Sequence, residues 1–161
     1  MTGYLETLKL YYEEEIEGEA YFARLSERFD NPDHTHKLRL LAEVERHAAE
    51  AVAPLIARHA LTPRPSDELI ESGKADAEAT ALDWPALIAG MQESYKGYLA
   101  AFEALEDMGP EEDRARLSFL TEHEVAAIKF LDQEVVDPGI SAAPLEVYLA
   151  TPAETWRSGT E

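Results

Sequence analysis

Apolar residues recur at helical spacing in four long segments of the chain. These segments run from about 5 to 29, 35 to 59, 84 to 109 and 111 to 136. A spacing of three and four residues is typical of helices that bury one face. No segment alternates between apolar and polar positions over a convincing length, so the sequence predicts an all-α fold without strands.

The connections between the four segments differ in length. The turns "DNPD" and "MGPEED" are short, whereas residues 60–83 form a long polar segment with several prolines. Two helical hairpins, about 5–59 and 84–136, joined by such a crossover predict an antiparallel four-helix bundle over residues 1–137. Residues 138–161 are expected to form a C-terminal arm that packs on the bundle or on a partner subunit.

The two predicted hairpins align with each other without a gap when the chain is shifted by 79 residues. The shift gives nine identities over 52 positions, among them Glu45 with Glu124 and Gly18 with Gly97. Because the turns also fall in register, the pattern favours duplication of a helix pair. The alternative is that any two helical hairpins align at some shift.

Several glutamates lie on the predicted inward faces of the helices. A helix turns about 100° per residue, which places Glu45 and Glu124 in the middle of the apolar stripes of the second and fourth helices. In the first helix, Glu19 lies on the stripe and Glu15 lies on its flank. The sequence therefore predicts a group of carboxylates in the interior of the bundle.

Buried carboxylates need a partner, because an unpaired buried ion costs several kcal/mol. The inward stripes carry no lysine or arginine at this level. A bound metal ion is one solution, since hard cations bind carboxylate oxygens. The alternative is that solvent reaches these inward faces, so that the glutamates are hydrated or form hydrogen bonds with buried tyrosines. His123, at the edge of the buried arc, is the histidine best placed to join a metal site.

Composition narrows the functional classes. The formal charge of −19 argues against nucleic acid and against an anionic membrane as partners. Cysteine is absent from the sequence, which excludes disulfides, thiolate metal sites and cysteine nucleophiles. The N-terminus has no signal-peptide pattern and no stretch is long and apolar enough to span a membrane, so we expect a cytoplasmic protein.

These residues resemble the ferritin-like superfamily of ferritins, rubrerythrins and related di-iron carboxylate proteins. In that family the first helix of each pair gives a glutamate, often with a small residue three positions on and an aromatic residue seven positions on. Glu15 fits this pattern with Gly18 and Phe22. The second helix of each pair gives Glu-x-x-His, and Glu45 and Glu124 match its glutamates.

The resemblance covers about residues 4–137, but the ligand set is incomplete. Ala48 and Ala127 stand where the family has histidines, and Ser94 stands at the position that corresponds to Glu15. The resemblance implies a metalloprotein with iron or manganese as cofactor and with redox or oxygen and peroxide chemistry. The metal ligands expected here are Glu15, Glu19, Glu45, Glu124 and His123.

A second function stays open beside this one. The chain would then be a metal-free, degenerate ferritin-like bundle that acts as an interaction or structural module. Small residues at positions 48 and 127 would let helices pack closely where ligands once stood. The C-terminal arm and the acidic surface suit an oligomer, such as a homodimer, in this second function.

Overall fold

A computed structural model describes residues 3–152 of the chain. Within this range every regular element is a helix and there is no β-strand, which confirms the predicted all-α class. A single turn of 3₁₀-helix, Glu111–Asp113, leads into the fifth α-helix. The α-helices are α1 (Tyr4–Arg28), α2 (Pro32–Arg58), α3 (Ser66–Ala79), α4 (Trp84–Met108), α5 (Arg114–Val136) and α6 (Ala143–Ala150).

Local capping interactions set the starts of two long helices. The side chain of Asn31 accepts hydrogen bonds from the backbone N–H groups of Asp33 and His34. Asp83 caps α4, because its side chain accepts a hydrogen bond from the N–H of Ala86 at 3.2 Å. Each helix also has a proline in its first turn, where the missing N–H is not needed.

The four long helices pair as two hairpins. α1 packs along α2 and α4 packs along α5, and each pair is joined by a short turn, so the partners run in opposite directions. α2 also packs against α5 and thereby joins the hairpins. α1 and α4 make few contacts with each other, which leaves an open groove between them that we call the α1–α4 seam.

The crossover contains a helix that the periodicity does not predict. α3 packs against α1 through Leu69, Gly73 and Ala77. A Cβ atom at Gly73 would collide with the backbone carbonyl of Glu17, so this close approach requires glycine. One leucine and two small residues give a weak apolar periodicity, which is why the segment looks like an irregular connection in the sequence.

The described part of the C-terminal arm packs on the hairpins through α6. Leu145 is fully buried against α5, and the hydroxyl of Tyr148 donates a hydrogen bond to the carbonyl of Phe119 at 3.0 Å. Nε2 of His47 in α2 lies 2.7 Å from the carbonyl oxygen of Thr151. The rest of the predicted arm, residues 153–161, lies outside the described residues.

Candidate metal centre

Three glutamates and one histidine meet between α1, α2 and α5. Glu15 comes from α1, Glu45 from α2, and His123 and Glu124 from α5. Nε2 of His123 lies 3.1 Å from Oε2 of Glu15, 3.3 Å from Oε2 of Glu45 and 3.4 Å from Oε1 of Glu124. We call these four residues the carboxylate–histidine cluster.

The cluster is buried and its polar atoms are not satisfied by the protein. Glu15 is 3%, His123 2% and Glu124 5% exposed, and the side chain of Glu45 is 14% exposed. Oε2 of each glutamate and Nε2 of the histidine are buried without a hydrogen-bond partner. An unsatisfied buried polar group costs about 1–3 kcal/mol, so four such atoms on neighbouring side chains require an explanation.

The imidazole ring is held so that one nitrogen faces the carboxylates. Nδ1 of His123 contacts the carbonyl oxygen of Leu120, one turn earlier in α5, and so carries the proton that donates to it. The ring also packs edge-on against Phe102, with ring centroids 5.1 Å apart. Histidines that bind metals usually donate their other N–H in this way, which leaves Nε2 as a ligand.

Glycine at position 18 makes room for one of the carboxylates. A Cβ atom on Gly18 would lie 2.7 Å from Oε1 and 3.0 Å from Cδ of Glu45. Its counterpart in the second hairpin, Gly97, would have nothing within 4 Å of its Cβ. The two aligned hairpins therefore differ at this position, and the close approach to a glutamate is found at Gly18, beside the cluster.

The pKa values of the cluster are strongly displaced. Burial raises the pKa of Glu15 well above its ordinary value, and it raises the pKa of Glu124 to about 7 against the opposing effect of His123. Burial alone would lower the pKa of His123, but the neighbouring charges of Glu15 and Glu45 raise it well above normal. Burial also acts to raise the pKa of Glu45, but polar contacts with Glu15 and His123 lower it. Without a cation, protons must therefore neutralise part of the cluster.

The structure brings four of the five predicted ligands together and leaves Glu19 outside. Glu19 is half-buried one turn further along α1, and burial raises its pKa while the nearby charge of Arg46 lowers it. The buried face of α1 passes through Leu8, Glu15 and Phe22, so it is rotated away from the stripe inferred from the sequence.

A second group of potential ligands is already paired with a buried lysine. Asp33, His34 and Glu134 lie close enough to hold an ion. Nζ of Lys37 lies 2.6 Å from Oδ2 of Asp33 and 2.7 Å from Oε1 of Glu134. Nε1 of Trp84 donates to the other oxygen of Glu134 at 3.0 Å. The sequence reasoning misses this network, although the spacing of Asp33 and Lys37 by four residues is a usable signal.

Two cavities along the α1–α4 seam reach the cluster. One has a volume of about 440 Å³, and Glu15, Glu45 and Glu124 form part of its wall. The other, of about 570 Å³, shares Glu45 and Tyr95 with the first. Solutes therefore have a route from the surface to the buried carboxylates.

Comparisons with known proteins give no relative for this chain: no protein-family model, curated protein or solved structure matches it. Between residues 3 and 152, no helix is long and apolar enough to cross a membrane. The function is therefore inferred from the chemistry of the cluster and of the cavities beside it.

Proposed function

We propose that the chain is a ferritin-like carboxylate metalloprotein that binds one divalent ion, iron or manganese, at the carboxylate–histidine cluster. The observation that carries this proposal is the convergence of three buried, unpartnered atoms from three helices, Oε2 of Glu15, Oε2 of Glu45 and Nε2 of His123, in a group whose ligand atoms all lie within 4.8 Å of one another. A cation at this point would satisfy these three atoms at once, and Oε1 of Glu124, 3.4 Å from Nε2 of His123, would lie beside it. No rearrangement of the helices is needed to bring the ligands together.

The donor set fits these two metals. Carboxylate oxygens suit hard cations such as Mn²⁺, and an imidazole nitrogen suits borderline cations such as Fe²⁺. Among residues 3–152 the contacts of the three carboxylates include His123 but no lysine or arginine. A divalent ion would therefore supply the positive charge that the cluster lacks.

The ferritin-like part of the proposal is supported by topology and by the repeat. Two hairpins joined by a crossover carry Glu45 and Glu124 at positions related by the shift of 79 residues. Ala48 and Ala127, both buried, occupy the places of the usual histidines, so His123 becomes the nitrogen donor. Bound iron or manganese would supply redox chemistry towards oxygen or peroxide, and the chain would hold the ion and expose it to the seam.

A metal-free, degenerate bundle that serves as an interaction or structural module is the second candidate. The observation in its favour is that Nε2 of His123 lies 3.1 Å from Oε2 of Glu15 and 3.3 Å from Oε2 of Glu45, so that a protonated imidazole could neutralise part of the cluster without a metal ion. On this interpretation the glutamates are a relic, and replacing them would not weaken the fold.

Calorimetric titration of the chelator-treated protein with Mn²⁺ distinguishes the two functions. The wild type is expected to bind stoichiometrically, and a Glu45→Gln, Glu124→Gln double variant should bind at least about 100-fold more weakly. The matched control is Glu43→Gln, Glu122→Gln, which removes two repeat-related glutamates outside the cluster from the same helices. No binding by the wild type, together with a double variant at least as stable, would favour the metal-free bundle.

A further inference from the structure

The cavity beside the cluster has an unusual wall. We propose that it binds a small organic cation, an amine with an apolar body, next to the metal ion; this inference rests on the proposed function. Its volume of about 440 Å³ is within the usual range for small-molecule sites, about 300–1,000 Å³. The acidic and aromatic lining residues outside the cluster are Tyr11, Glu14, Glu17, Tyr95, Tyr98 and Phe102.

The negative charge of the cavity wall favours a positively charged ligand. Five glutamates line the cavity, and among residues 3–152 no lysine, arginine or histidine does. A divalent ion held by Glu15, Glu45 and Glu124 would leave the charges of Glu14 and Glu17 uncompensated. An anionic ligand would therefore be repelled, whereas an ammonium group would be attracted.

The aromatic residues suit the rest of such a ligand. The rings of Tyr11 and Phe102 lie 5.1 Å apart and those of Tyr95 and Tyr98 lie 5.5 Å apart, so the wall presents two aromatic pairs. Tyr98 is 50% exposed and has ring surface available to a bound molecule. Aromatic rings attract organic cations through their negative faces and also cover an apolar body.

One unpartnered oxygen in the wall is distinct from the atoms that face His123. Glu124 lines the cavity and is more than nine-tenths buried; its Oε1 lies 3.4 Å from Nε2 of His123, whereas its Oε2 lacks a hydrogen-bond partner and is free to meet a second ligand. Glu17 already accepts a hydrogen bond from Ser72 at 2.8 Å, so it is fixed in place beside the cavity. Glu14 is exposed and is the glutamate best placed to meet an entering ammonium group.

Three probes of similar size and different charge test the inference. The full chain, both Mn²⁺-loaded and chelator-treated, is titrated calorimetrically with 2-phenylethylammonium, 2-phenylethanol and 3-phenylpropionate. We expect 2-phenylethylammonium to bind at least about tenfold more tightly than 2-phenylethanol. We expect no measurable binding of 3-phenylpropionate. Equal binding of the alcohol would overturn the inference. Loss of ammonium binding in the Mn²⁺-loaded chain would also overturn the inference, because it would show that the probe and the metal ion compete for the same glutamates.

Variants locate the binding site. Glu14→Gln and Tyr98→Ala should each weaken ammonium binding by about three- to tenfold. Glu93→Gln removes the repeat counterpart of Glu14 at an exposed position away from the cavity, and should change nothing. Equal weakening by the two glutamine variants would overturn the inference, because it would indicate general attraction to an acidic protein. Since Mn²⁺ stoichiometry is measured separately, metal binding without ammonium binding refutes this inference alone, and absent metal binding refutes the proposed function.

Discussion

Replacing Gly18 with alanine should displace a metal ligand without unfolding the chain. The new Cβ would lie 2.7 Å from Oε1, 3.0 Å from Cδ and 3.3 Å from Cγ of Glu45. Contacts this short are not tolerated, so one group must move. The atoms in the way belong to the end of a flexible side chain, and we therefore expect the carboxylate to leave the cluster while α1 stays in place.

Gly97→Ala is the matched control for the effects of Gly18→Ala on stability and on metal affinity. Glycine inside a helix costs about 0.5–1 kcal/mol relative to alanine. Gly97→Ala, with nothing within 4 Å of its Cβ, should gain this amount in full. Gly18→Ala should gain less, because the contact with Glu45 offsets it. Loss of support for one ligand typically weakens metal binding by about 10- to 100-fold, equivalent to about 1.4–2.8 kcal/mol.

Two assays on the same three proteins decide the outcome. Urea denaturation gives the free energy of unfolding, and calorimetric titration gives the affinity for Mn²⁺. Weak Mn²⁺ binding by a folded Gly18→Ala variant beside normal binding by Gly97→Ala supports Glu45 as a ligand. Equal Mn²⁺ affinity in the two variants would refute the reasoning.

Three further predictions concern stability. Lys37→Met should lower the free energy of unfolding in urea by about 3–5 kcal/mol, because the buried carboxylate of Glu134 keeps hydrogen bonds from Trp84 and Ser141 but loses its cationic partner; a loss below about 1 kcal/mol would contradict this. Burial raises the pKa of Tyr4 from 10.0 to about 12, so its contribution to stability is complete below pH 10.0 and is lost as the pH rises towards 12. Alkaline denaturation of Tyr4→Phe should lack this part of the decline, and an unchanged profile would count against it. Finally, Mn²⁺ at 100 times its dissociation constant should raise the free energy of unfolding of the wild type by about 2.7 kcal/mol. A similar gain in the Glu45→Gln, Glu124→Gln variant would show that this stabilisation does not come from binding at the cluster.

The helices themselves could be predicted because their apolar spacing is strong. Each of the four long helices buries a stripe of large residues, and capping residues such as Asn31 and Asp83 mark two starts. α3 could not be predicted in this way, since Gly73 and Ala77 pack by close approach rather than by large apolar area. Its position on α1 depends on contacts between segments that are distant in sequence.

The candidate site could be predicted in part. Glu45 and Glu124 stand out because both interrupt an apolar stripe at repeat-related positions. Periodicity cannot choose between Glu15 and Glu19, because residues four apart differ by only about 40° around a helix. The choice depends on how α1 is rotated against α2, and the approach of Glu45 to Gly18 fixes that rotation.

Other features needed the three-dimensional structure. The pairing of Lys37 with Glu134 joins residues that are 97 positions apart. The seam cavity likewise depends on the spacing between α1 and α4, which belong to different hairpins. Tyr98 faces inward in the pattern of apolar positions, but half of it is exposed at the edge of the seam. These contacts depend on how distant helices pack against each other, so the pattern of residues within one segment does not predict them.

Anomalous diffraction from a crystal grown with Mn²⁺ tests the metal centre most directly. We expect one manganese peak within coordination distance of the four side chains of the cluster, which are Glu15, Glu45, His123 and Glu124. A map without a manganese peak there would contradict the proposed function. A peak beside Asp33, His34 and Glu134 instead would contradict it as well, because it would place the ion at the group that Lys37 already occupies.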